Sequence, residues 1–248
     1  MATVLSGTSG ALYYTPAGTS VTTLAASAFP STGSNITVGA YLGFKVNDPV
    51  TLAYPASATV TNAIPAGAYF VLTYVASTGV MTLSSTAGGS AVTATALPTG
   101  FGADFASITY TAPAVVGSVR DWSFEITRAE IDVTTIGQAV GQYTPFRNYI
   151  SGFADGSGSA TVYTTDDDTN IASRMIEDVI QRTQSGALMK LYIDQIVVSG
   201  TVNDTLSRFV SVPVILTSAS LTVNPDDGQS VSINFRPSSA PTFDLSKS

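Results

Sequence analysis

The stretch "WSFEITRAEIDVTTIGQ", Trp122 to Gln138, decides how the chain is read. Trp122, Phe124 and Ile126 alternate with polar residues, the period of two that marks a strand with one dry face. Five residues on, the apolar positions become Ile131 and Val133, of the opposite parity. Arg128, Glu130 and Asp132 now occupy the phase that was apolar. A one-residue shift exchanges the two faces of a strand. The strand is therefore expected to bulge near Arg128–Glu130, with Trp122, Phe124 and Ile126 as core anchors and Ile131 and Val133 serving another surface. Beyond it, residues 134–150 read as a long arm.

Working outward, composition favours sheet. Hydrophobic residues make up 44% of the 248, but charged residues only 11%, well below the usual quarter. Thr, Ser, Val and Gly suit strands and turns. Apolar runs are too short for a membrane span, and "MATVLSGTSG" lacks the basic and apolar regions of a signal peptide. The reading is a soluble chain that begins in a cytoplasm.

The sequence has no Cys and no His. Disulfides, thiolate zinc sites, Cys nucleophiles, Ser-His-Asp triads and imidazole acid/base chemistry are excluded together. The expectation is no enzyme, no catalytic residue and no cofactor. A net charge of −7 opposes sequence-reading of nucleic acid, which needs a basic footprint.

Charge divides the chain in two. Residues 1–112 carry Lys45, Asp48 and Asp104, and residues 113–248 carry the other twenty-four. Pro/Gly/Ser/Thr stretches flank residues 25–112, and "FKVNDPVTLAY", "AGAYFVLTYVAS" and "GVMTLSST" read as strands joined by turns. Residues 25–112 are therefore expected to form a small all-β inserted domain, and residues 1–24 with 113–248 a discontinuous one. In the latter, "GSATVYTT", "ALMKLYIDQIVVSGTV", "SRFVSVPVILTSASLTV" and "QSVSINFRP" read as strands. One helix has an apolar stripe of Ile171, Met175 and Val179, widened by Ile176 and Ile180. Asp168 or Thr169 would cap its start and Gly186 its end. The fold class is mostly β, a sandwich or partial barrel with one packed helix.

The acidic run "DDDTN" can be tested as a calcium loop. Asp166, Asp168, Asn170 and Glu177 fall at the first, third, fifth and twelfth positions of an EF-hand. The sixth position is Ile171, where the turn requires Gly, so the run is read as a cap and no metal site is assigned. Asp226 and Asp227 lie in a turn, "NPDDG", and the Gly/Ser loops "SGTSG" and "ADGSGS" lack the Lys-Ser/Thr of a phosphate loop.

Several stretches, taken in order, resemble the phage major tail tube family. They are "SGALYYTPAG", then "VGSVRDWSFEITRAEIDVTTIGQAVGQYTPFRNYISGFADGSGSATVYTTDDDTNIASRM", and the C-terminal "ASLTVNPDDGQSVSINFRPSSAPTF". They cover residues 8–22 and 113–243, while residues 25–112 depart from the pattern. The resemblance implies a structural virion protein, assembled in the host cytoplasm, that stacks as six-membered rings into a hollow tail tube through which DNA is delivered. It implies sheet lining the channel, the helix outside it, and the inserted domain on the outer surface. Implied partners are further copies, tape measure, terminator, baseplate and sheath proteins, with DNA passing without specific recognition. Within that reading Arg128, Glu130, Asp132, Tyr143, Phe146, Arg147 and Tyr149 are candidate contacts between subunits or rings. The alternatives are a terminator or completion ring, and a virion-surface carbohydrate-binding β-module.

Overall fold

A computed structural model describes residues 10–111, 114–115, 118–133, 147–163, 171–180, 184, 186–223 and 229–246. Among them the chain is mostly β, with sheets curled as in a half-barrel and one α-helix.

In chain order the strands are β1 (Ala11–Thr15), β2 (Ser20–Leu24), β3 (Ile36–Thr37), β4 (Pro49–Ala53), β5 (Gly67–Val75), β6 (Val80–Ser84), β7 (Ala106–Tyr110) and β8 (Ala114–Val115). Then come β9 (Ser118–Asp132), β10 (Tyr149–Tyr163), the helix α1 (Ile171–Ile180), β11 (Leu188–Asp194), β12 (Val197–Val198), β13 (Thr201–Val202), β14 (Arg208–Thr222), β15 (Ser230–Pro237) and β16 (Thr242–Asp244).

One sheet has the order β8-β1-β11-β14-β15-β10-β9, with β16 also on β14. Its long strand β14 buries Val210, Val212, Val214 and Leu216 at period two, the pattern of a strand dry on one face. They share a core with Leu12 and Tyr14 of β1, Met189 and Leu191 of β11, and Val231, Ile233 and Phe235 of β15. The N-terminal half of β14 pairs with β11, and its C-terminal half with β15. Just ahead of the start of β11, the Gln184 amide takes its place beside β14. Its Nε2 donates to Leu216 O at 2.9 Å, and its Oε1 accepts from Leu216 N at 2.6 Å.

Residues 20–110 build a second sheet, β2-β7-β4-β5-β6-β3, over a core of its own that includes Val50, Leu52, Val71, Met81, Leu83 and Ile108. This sheet begins at Ser20: β2, on the other side of the expected boundary at residue 25, pairs with β7.

Three expectations are corrected. "ALMKLYIDQIVVSGTV" is not one strand. It breaks after Asp194, and β12 and β13 form a separate hairpin whose corner, Ser199 and Gly200, has φ of 52° and 81°. Two central residues at positive φ suit the right-handed twist of a tight hairpin. "ADGSGS" is not a loop but the middle of β10, because ring side chains occupy the space above its glycines. A Cβ at Gly158 would lie 2.2 Å from Phe235 Cζ, and one at Gly156 2.9 Å from Pro237 Cγ. Such strand glycines permit close approach; here Phe235 also stacks on Phe124, centroids 6.2 Å apart.

The helix stripe is the third correction. Met175 is fully buried, and Ile176 and Val179 pack on the first core, but Ile180 is 81% exposed. The buried face instead includes Arg174 and Asp178. Asp168 and Thr169 lie outside the described residues, and Gly186 occupies a turn at φ 84°.

Candidate assembly surface

β9 and β10 form a pair of fifteen-residue antiparallel strands. At their base the two faces differ as alternation demands. Trp122 and Phe124 lie on the first core, in the same phase as buried Gly156, Ala160 and Val162. The other face carries Ser123, Ser157, Ser159 and Thr161, extended over β15 by Ser232 and Asn234. Ser123 and Ser159 oxygens are 2.9 Å apart, and Asn234 Nδ2 donates to Ser218 Oγ at 2.8 Å. Charges on this face are few: Asp121, Glu125, Asp155 and Arg236, with Arg120 beside them. Arg120 is 3.8 Å from Asp121, and Arg236 is 3.4 Å from Asp155.

The faces exchange character at a bulge. Register shifts between Ser151 and Ala154, where Gly152 and Phe153 together oppose the single residue Ala129. The extra residue therefore lies on β10, not on the strand whose sequence betrayed it. Gly152 is suited to the crossing, since a Cβ there would be 3.1 Å from Ala129 Cβ.

From Arg128 at the edge of the bulge onward, Arg128, Glu130, Asp132, Tyr149 and Ser151 occupy the phase that was dry at the base. Ala129, Ile131, Val133 and Ile150 occupy the phase that was polar. Both faces are exposed here: Ile131 is 50%, Ile150 52% and Phe153 93% accessible. Ile126, expected in the core, is 46% exposed. It is corrected accordingly, because the strand has by then run past the edge of the packed core. Isolated exposed apolar residues are ordinary, but a contiguous group marks a contact surface.

The candidate contact residues separate as follows. Arg128, Glu130, Asp132, Arg147 and Tyr149 all lie on this distal segment, exposed, and Arg147 Nη1 is 3.8 Å from Asp132 Oδ2. Tyr143 and Phe146 lie outside the described residues. Alternation alone does not reveal Phe153, which is set between "SG" and "AD"; its signal is an aromatic side chain in a Gly/Ser-rich segment.

A second polar constellation joins α1 to both sheets. Arg174 Nη1 donates to Asp48 Oδ1 and Oδ2 at 3.2 and 3.1 Å, and its Nη2 to Gly43 O at 2.5 Å. One turn on, Asp178 Oδ2 accepts from Tyr14 Oη at 2.6 Å and from Ala17 N at 3.1 Å. Lys45 and Glu177 add a half-exposed ion pair at 3.0 Å. Gly43 is required at this junction, since a Cβ would fall 1.9 Å from Ala17 O.

Burial raises the pKa of Asp48 against the pull of Arg174, and that of Asp178 against its bonds to Tyr14 and Ala17. Burial, reinforced by Asp178, holds the Tyr14 phenol far above its ordinary value, and burial with the Asp48 charge lifts Tyr110 to about 12. The arrangement has the chemistry of a clamp. Among the described residues, no group of three or more acidic side chains is placed to hold a metal ion.

No family model and no curated protein matches the chain. Among solved structures, a chain in the virion of a native gene transfer agent particle is similar at 16% identity and TM-score 0.38, over 54% of this chain and 89% of that one. A chain in the tail of an empty gene transfer agent particle, refined helically with C6 symmetry, is 16% identical at TM-score 0.38, over 54% and 87%. A hybrid structure of the SPP1 tail tube is 14% identical at TM-score 0.35, over 55% and 71%. At these values no residue role is carried across.

Proposed function

We propose that the chain is a structural virion protein that assembles with copies of itself into rings, and the rings into a phage tail tube. The observation that carries this reading is the exchange of faces along β9 and β10. A strand pair that turns apolar on the outside, beyond the reach of its own core, is completed by another subunit. The sequence resemblance to tail tube proteins supplies the kind of assembly. Six-membered rings, and passage of DNA through the lumen, follow from that resemblance.

In this reading the Ser/Thr/Asn face of β9, β10, β15 and the C-terminal half of β14 lines the channel. Its chemistry suits passage without capture, because it offers phosphates few cations and pairs both of its arginines with carboxylates. Low charge, rather than strong acidity, is the property that serves this role. Residues 20–110 form the inserted domain on the outer surface, held to the tube domain through Arg174.

The test is negative-stain electron microscopy of the purified protein over a range of concentrations. Hollow tubes with regular striations are expected. Rings that never stack would favour a terminator, and monomers at every concentration would overturn the assembly reading.

A further inference from the structure

A groove of about 360 Å³ lies beside the base of the β9–β10 pair, lined by Ile126, Gly156, Pro237, Ala240 and Pro241 among others. Ile126, Gly156 and Pro237 are in the dry phase of the sheet, so the groove lies mainly on that side, although Asp155 of the other phase also lines it. Phe153, 93% exposed, stands at the bulge in the opposite phase, with Ile131, Val133 and Ile150 beyond it. An aromatic knob and an apolar slot of ample size for it thus occupy opposite faces of one strand pair, and the knob does not fill the slot of its own chain.

Resting on the assembly reading above, we propose that Phe153 of one copy seats in the Ile126–Pro241 groove of the next. Two features select a second copy as the occupant. Knob and groove face opposite ways, so the contact is heterologous, the geometry that closes rings or propagates stacks rather than pairing two chains. The area also fits. Phe153, Ile131, Val133 and Ile150 expose on the order of 400 Å² together, taking about 150–250 Å² for a whole aromatic side chain. That is half of the roughly 800 Å² per partner of a stable isolated pair. The contact is therefore too small to hold an isolated pair and persists only where closure of a ring or stack adds further contacts between copies.

The chain has no cysteine, which makes thiol mapping unambiguous. Phe153→Cys and Ala240→Cys chains are mixed, assembled and oxidised, and linked peptides are identified by mass spectrometry. A 153–240 link between chains is expected. Tubes that yield only 153–153 links, or none, overturn the inference and leave the assembly reading standing; a wild-type chain that never assembles overturns both. In parallel, Phe153→Asp should raise the concentration needed for assembly at least tenfold with Tm unchanged, since the side chain is solvent-exposed in the single chain. Phe153→Leu should stay within about twofold of wild type. An unchanged threshold for Phe153→Asp overturns the inference.

Discussion

Arg174 Nη1 and the Asp48 carboxylate, 126 positions apart, meet through both carboxylate oxygens at 3.1 and 3.2 Å with both side chains less than 10% exposed. The pair ties the helix of one sheet to the turn before β4 of the other.

Breaking that pair from one side leaves a buried charge without its partner. Asp48→Leu or Arg174→Met should each cost about 3–5 kcal/mol, while Arg174→Met combined with Asp48→Leu should cost less than either single change. Urea unfolding of the four chains as a double-mutant cycle measures this. By the same logic, a chain lacking residues 26–111, which include both Asp48 and Gly43, should fold and assemble only when Arg174 is also replaced by an apolar residue.

Gly158 tests the ring seat on β10. Gly158→Ala places a methyl group against the Phe235 ring and should destabilise by about 1–3 kcal/mol, the usual cost of overpacking. Gly158→Ala with Phe235→Leu should recover part of the loss. Thermal unfolding of both single changes and the double gives the comparison, and strict additivity would mean that the ring does not occupy that space.

Alkaline pH should weaken the fold through its buried phenols. Burial raises the folded-state pKa of Tyr110 to about 12, and burial also raises Tyr14, Tyr54, Tyr69, Tyr74 and Tyr192. The unfolded chain releases these protons near pH 10, before the folded chain does, so stability falls as pH rises from there toward 12. Tm against pH, recorded with tyrosinate absorbance, should show the buried phenols ionising together with unfolding. A flat Tm across that window would contradict the burial.

On the distal segment, stability and assembly should part company. Ile131→Ser with Ile150→Ser removes two half-exposed side chains, so the monomer should keep its stability within about 0.5 kcal/mol, as for other surface changes. Sedimentation should show assembly lost. Tubes that persist would place the subunit contact elsewhere. The Asp132–Arg147 pair, exposed and 3.8 Å long, is expected to contribute no more than about 1 kcal/mol to folding.

Much of the sheet was legible because it obeys alternation: Val210 to Leu216 and Val231 to Phe235 bury every second residue. The exchange of parity after Ile126 was legible for the same reason. Its cause was not, because the bulge sits on the partner strand at Gly152–Phe153, and a single strand carries no record of its neighbour's register. Nor did periodicity reveal that Ile126 leaves the core, since burial depends on how far the packed core extends beneath the strand. Arg174 and Asp178 were hidden differently. Charged helix residues ordinarily face water, and their partners, Asp48 and Tyr14, lie 126 and 164 positions away. Gly156 and Gly158 imitate a loop because glycine marks both turns and close approach, and only Phe235 and Pro237 above them distinguish the two.

The excursion of residues 20–110 leaves and returns through neighbouring strands. β2 lies against β7, and outside it Tyr13 and Tyr14 of β1 pair with Val115 and Ala114 of β8. The two ends are stitched together before and after the detour, so a different cassette could be spliced in without rethreading any strand. Arg174 sets the terms of such an exchange. A replacement cassette must either present a carboxylate where Asp48 stands or arrive with a neutral side chain at position 174, which makes these two positions a matched pair.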